Sequence, residues 1–283
     1  MTAAEKVIRE HEEDLKRIQR FRLLDDDFMT KCFEEDPACA ELVLRILLEK
    51  PDLRVAEVHT QVFLANLLKR SVRLDVLATD SEGRQYDIEI QRDDRGAGQR
   101  RARFNSSMMD AKWTEKGTEF KEIPDTYTIF ITEHDVLKGG HPVYHIERCI
   151  MEGGQIFDDG AHILYVNGSY RGDSPIGKLM YDFSCTDAAD MHYKELADRV
   201  RFFKESKEGT AAMCKMIEDM RAASYQEGIQ DGMQKGMQKG MQEGEIKNAI
   251  ENAKRMLKNG KLTVEEIAEC AGLSREKVLS LRQ

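Results

Sequence analysis

The chain has 283 residues, 41% hydrophobic and 34% charged, with 43 Lys and Arg against 52 Asp and Glu for a net charge of −9. That balance excludes general disorder and supplies enough apolar residues for one sizeable core. Six cysteines without a Cys-x-x-Cys pair exclude zinc-ribbon and thioredoxin-like sites, and the N-terminus lacks the apolar core of a signal peptide, so the expected compartment is the cytoplasm.

In chain order, residues 5–22 read as a charged helix, and 36–50 as a more apolar one, with Asp36 as its cap, Pro37 in its first turn and Pro51 ending it. From Val55 the apolar period shifts toward two, giving three strand candidates, "VAEVHTQVFL", "SVRLDVLATD" and "RQYDIEIQRD". A helix over "GAGQRRARFNSSMMDAKWTEKG" follows, then "DTYTIFITE", whose β-branched and aromatic run suits a buried strand. Further strands and turns fill residues 141–185, and helix returns from 187.

Glycines at 228, 232, 236, 240 and 244 then mark a tetrapeptide repeat. Each costs a helix about 1 kcal/mol relative to alanine, so 226–245 reads either as a marginal helical linker or as a close-packed self-association stalk. The intervening Gln, Lys, Asp and Glu exclude a membrane dimer motif. Residues 246–283 form a small helix-turn-helix-like unit, with a Thr263/Glu266 capping box, Gly272 at the turn and Ser274 capping the last helix. Its weak basic face fits a docking or dimerising tail as well as a DNA reader. The expected organisation is a domain over 1–225, the Gly-periodic segment 226–245, and the tail 246–283.

The chemistry concentrates in "LDVLATDSEGRQYDIEIQ", residues 74–91. Acids on the wet face of an antiparallel strand need no special explanation, and that plain alternative stands beside the functional one. The apolar sets Leu74, Val76, Ala78 and Tyr86, Ile88, Ile90 must share a face, and "DSEG" suits a three-residue loop with Gly83 left-handed. Asp80 then opposes Arg84, and Asp75 faces Glu89. Two opposed carboxylates are destabilising unless one is protonated or a cation joins them, and paired hard oxygens suit Mg²⁺ in phosphodiester cleavage. Gln91 points the same way and can orient water. The acid excess lies elsewhere: residues 63–116 hold 11 basic and 9 acidic groups, so the overall charge argues little against a polyanionic partner.

Asp75, followed fourteen residues later by Glu89-Ile90-Gln91 and an Arg-bearing helix, resembles the PD-(D/E)XK nuclease superfamily. With "QRRARFNSSMMD" and "TYTIFITEHDVL", the stretch is similar to the recombination-promoting nuclease and transposase family over about residues 20–225. The resemblance implies a restriction-endonuclease-like α/β (α+β) fold, a mixed sheet core flanked by helices, with an α-helical C-terminal tail. It implies a Mg²⁺-dependent (or Mn²⁺-dependent) DNA endonuclease tied to recombination or mobile elements. The metal would be held by Asp75, Glu89 and the carbonyl of Ile90, with Asp25 as an early helix acid. Leu74 stands where the signature has proline, and Gln91 where it has lysine. A neutral glutamine positions water but adds no positive charge, so Arg101 or Arg103 on the following helix would supply it. The alternative is a nuclease-like fold serving as a non-catalytic nucleic-acid-binding or regulatory module. DNA is the expected partner, with homo-oligomerisation through the C-terminal helical region as a second expectation.

Overall fold

A computed structural model describes residues 3–65, 70–92, 94–114 and 117–282. It divides into two compact units, Met1–Lys215 and Met216–Gln283. The first begins with α1 (Ala3–Arg20), α2 (Asp26–Phe33) and α3 (Pro37–Leu47). Asp36 caps α3 by accepting from the Ala38 amide at 3.0 Å, ahead of Pro37 in the first turn. Helix α2 is an element the hydrophobic period does not announce, because its eight residues span barely two turns.

The strands β1 (Val55–Leu64), β2 (Val72–Asp80) and β3 (Gln85–Gln91) form an antiparallel meander. After α4 (Gln99–Trp113) come β4 (Thr126–Thr132), β5 (Val143–Ile146), β6 (Cys149–Ile150), β7 (Gln155–Ile156) and β8 (Ala161–Asn167). Six strands make one sheet in the order β1-β2-β3-β4-β8-β5, with β3, β4 and β8 parallel, while β6 and β7 pair separately. The expected mixed sheet flanked by helices is what the chain forms.

Every residue of β4 is buried, as are all of β3 except Gln91. This is the signature of central strands covered on both faces, where parallel pairing belongs. On one face Tyr86 stacks on Tyr127 and Tyr127 on His162, three residues in a single row across β3, β4 and β8, with Lys50 over the Tyr127 ring. On the other face α4 closes over Phe130 and Tyr165, which pack with Ala97 and Ala102. The unit continues through α5 (Pro175–Ser184), capped by Ser174, and α6 (Lys194–Glu205).

Helix α7 runs from Lys207 to Asn259 and includes all five repeat glycines, so the Gly-periodic segment is helical. A methyl group added at Gly228, Gly232, Gly236, Gly240 or Gly244 would meet no other atom within 4 Å. Met233, Met237 and Met241 are exposed rather than packed. In the second unit α8 (Val264–Ala271) and α9 (Arg275–Ser280) close a small core of Ala253, Ile267 and Val278. The Thr263/Glu266 capping box is formed, Gly272 is left-handed with φ 64°, and Ser274 accepts from the Lys277 amide at 3.2 Å. Among the described residues no helix is long and apolar enough to cross a membrane.

Candidate active site

The turn between β2 and β3 sets the register. Gly83 is left-handed with φ 84°, its amide donates to the Asp80 carbonyl at 3.1 Å, and the Asp80 amide donates to the Arg84 carbonyl at 3.1 Å. Asp80 also accepts from the Arg84 guanidinium at 2.7 Å and the Tyr86 hydroxyl at 2.8 Å, which locks the loop. The strands then pair as Thr79↔Gln85, Ala78↔Tyr86, Leu77↔Asp87 and Val76↔Ile88.

At the next step, where Asp75 meets Glu89, main-chain pairing gives way to side chains. Glu89 Oε1 accepts from the Asp75 amide at 3.3 Å, and Asp75 Oδ2 accepts from the Ile90 amide at 3.2 Å. The two carboxylates thus replace carbonyls at the open end of the ladder and are drawn together by the backbone of the opposite strand. The wet-face alternative fails here: Asp87 and Glu89 are both 0% exposed, because α4 lies over them.

Two contacts join α4 to the buried acids of β3. Arg101 Nη2 donates to Glu89 Oε2 at 2.6 Å, and one helical turn on, Asn105 Nδ2 donates to Asp87 Oδ2 at 3.1 Å. Four helical residues advance about 6 Å and two strand residues about 6.6 Å, so both contacts form when the helix runs antiparallel to the strand. Arg101 Nη1 also donates to Gln91 Oε1 at 3.0 Å and to the Gly96 carbonyl at 3.2 Å, and its guanidinium sits 5.8 Å from the Phe130 ring centre. Gln91 Nε2 lies 3.4 Å from Glu89 Oε2. Gly96 makes this seat possible, since a Cβ there would lie 2.0 Å from Gln91 Oε1.

The electrostatics follow from burial. Desolvation first, and the facing Glu89 second, push the Asp75 carboxyl up to about 7. Burial also raises Glu89, opposed by the Arg101 charge. Asp87, wholly buried, is driven well above the ordinary carboxylate value, by desolvation first and the Glu89 charge second.

The remaining sequence candidates divide. Asp25 accepts from the Arg22 amide at 2.8 Å and from Arg92 Nη1 at 2.8 Å, inside an ion cluster completed by Glu133. Its neighbour Asp26, exposed at the start of α2, is the acid of that helix whose charge raises Asp75. Arg103 is exposed and not drawn to Glu89; Arg101 takes that place. Asp26, Gly96 and Asn105 are site neighbours that the sequence reading did not single out. The spacing Arg101/Asn105 against Glu89/Asp87 was the available signal for Asn105. Among the described residues no cluster of three or more His, Cys, Asp or Glu forms a metal site, so a metal here would rest on two carboxylates and main-chain oxygen.

Residues 43–168, from within α3 to the end of β8, match the family model described as PD-(D/E)XK nuclease family transposase. This segment belongs to that family. It carries Asp75, Glu89, Gln91 and Arg101, and therefore the whole of the acid pocket and its arginine. No curated protein and no solved structure gives a match.

Proposed function

We propose that the chain is a Mg²⁺-dependent DNA endonuclease acting in recombination or on mobile elements. The observation that carries this reading is the Asp75–Glu89 pair: two carboxylates, mostly removed from water, converge where the β2–β3 ladder opens. Uncompensated burial of like charges is costly, and the donor set of Asp75, Glu89 and the Ile90 carbonyl consists of hard oxygens that suit Mg²⁺ or Mn²⁺. A divalent cation bound there would supply Lewis acidity and a more acidic water.

The chain's own groups do the rest. Arg101 holds a positive charge beside Glu89 and Gln91, the role the missing lysine would otherwise fill, and can donate to phosphate oxygens as negative charge develops. Gln91 aims Arg101 through its carbonyl oxygen, and its amide, one hydrogen of which is directed at Glu89, has a second hydrogen to orient water. Asp87 and Asn105 hold the floor of the pocket.

Plasmid cleavage with Mg²⁺ or Mn²⁺ tests the reading. Wild type should nick or linearise DNA, and Asp75→Ala and Glu89→Gln should not; equal activity in all three overturns it. Gln91 in the lysine position, with Arg101 paired to Glu89, favours one rival, a nuclease-like fold used as a DNA-binding or regulatory module. DNA binding without cleavage under either metal would select that rival.

A further inference from the structure

Beside the acid pocket a cleft of about 750 Å³ opens between the start of β2 and the first half of α4. Arg101 belongs to both places, lining the cleft while donating to Glu89. Arg70, Arg73 and Arg100 line the remainder and are exposed. Among the described residues none of these three has a carboxylate partner, although the chain has a net charge of −9 and Arg22, Arg54, Arg84, Arg92 and Arg148 are all ion-paired. No described lining residue is acidic, and Phe104 and Val72 add an apolar patch.

We propose that this cleft holds a single DNA strand with unpaired bases, its phosphates on Arg70, Arg73 and Arg100 and one base against the Phe104 ring, and that it delivers the next phosphate to Arg101. The choice of ligand rests on the nuclease reading. Guanidiniums gathered in one cleft with no carboxylate partner among the described residues fit a phosphodiester backbone, whose binding is driven by release of its counterions. The cleft's volume lies within the range of sites that enclose one small ligand, about 300–1,000 Å³, which accommodates a stretch of one strand and not a duplex. An aromatic ring among arginines gives stacking, and a base presents its face only when it has left the duplex.

The test is fluorescence anisotropy of a labelled oligodeoxythymidylate of about 16 nucleotides, measured in chelator and compared with the same strand annealed to its complement. The single strand should bind more tightly. Arg73→Gln and Arg100→Gln should each lower the slope of log affinity against log salt by about 0.7. Phe104→Leu, which keeps an apolar side chain for the core, should weaken binding roughly tenfold while Phe104→Tyr retains it. Equal or tighter duplex binding, or variants that leave the single-strand affinity and salt slope unchanged, would overturn the proposal. Because divalent ions are absent, a chain that cuts nothing can still pass. One that cuts plasmid but fails this titration loses the cleft and keeps the nuclease.

Discussion

Arg101 and Glu89 are joined by a 2.6 Å bond from Nη2 to Oε2, the carboxylate wholly buried and the guanidinium partly open to solvent. One side chain therefore neutralises the acid pocket from within and faces the basic cleft from without. A cation entering the pocket competes with Arg101 for Glu89, and a phosphate in the cleft competes with Glu89 for Arg101.

Replacing Arg101 separates these roles. Arg101→Ala should lower DNA cleavage roughly 100- to 1,000-fold, the usual cost of losing one charge-stabilising donor. Mg²⁺ affinity, read by calorimetry, should hold or rise because the competitor for Glu89 is gone. A parallel loss of metal binding would show that Arg101 only maintains the pocket.

Gly96 gives a sharper probe because it has no side chain of its own to contribute. A Cβ at this position would lie 2.0 Å from Gln91 Oε1 and 3.7 Å from Arg101 Nη1. Gly96→Ala should thus displace Gln91 and lower cleavage about as much as Gln91→Ala does, with the melting temperature little changed. Wild-type cleavage rates in Gly96→Ala would mean that the seat of Gln91 does not matter.

What the sequence makes legible follows from what is local. The alternation in β2 and β3 and the Asp80-to-Gly83 turn determine the register, and Thr79↔Gln85 through Val76↔Ile88 follow it. Burial of Asp87 and Glu89 is not local. Their alternation matches that of a solvated strand, and only α4, laid across β3 from eight or more residues away, turns it into a pocket. The run Asp25-Asp26-Asp27 offers three adjacent acids, and a choice among them depends on the 100° rotation per residue of a helix whose start is set by tertiary packing. Gly96 was invisible because close approach to Gln91 leaves no trace in composition.

The raised Asp75 carboxyl predicts a pH dependence. Its folded value of about 7 exceeds the ordinary carboxylate value of about 3.9. Its contribution to stability is therefore full below pH ~4 and lost as pH rises through ~7. In chelator, the melting temperature of wild type should fall across this window more steeply than that of Asp75→Asn. Mg²⁺ should stabilise wild type mainly at the upper end, where the carboxylates are free of protons. Identical slopes for the two proteins would remove the buried-charge account of the site.

The Asn105–Asp87 contact should govern the seating of α4. Asn105→Leu leaves a buried acid without its amide partner and should cost about 1–3 kcal/mol in urea unfolding. Asn105→Asp alone sets two buried carboxyls face to face and should cost more. Combining it with Asp87→Asn restores one amide and one carboxyl across the same gap, and stability should recover. Additive losses in the double variant would mean that the two side chains do not act as a pair.

The repeat glycines of α7 offer a last test. Each lies in helix, and an added methyl at any of them meets open space. For a helix on its own, Gly232→Ala, Gly236→Ala and Gly240→Ala should each stabilise by about 0.5–1 kcal/mol, since alanine loses less backbone entropy and nothing obstructs it. Calorimetry of the full chain should therefore show higher-temperature unfolding of the C-terminal unit in the triple variant. If the triple variant instead melts lower, and does so more at high protein concentration, the glycines admit a second backbone at close range. The segment would then be a self-association stalk and not a linker.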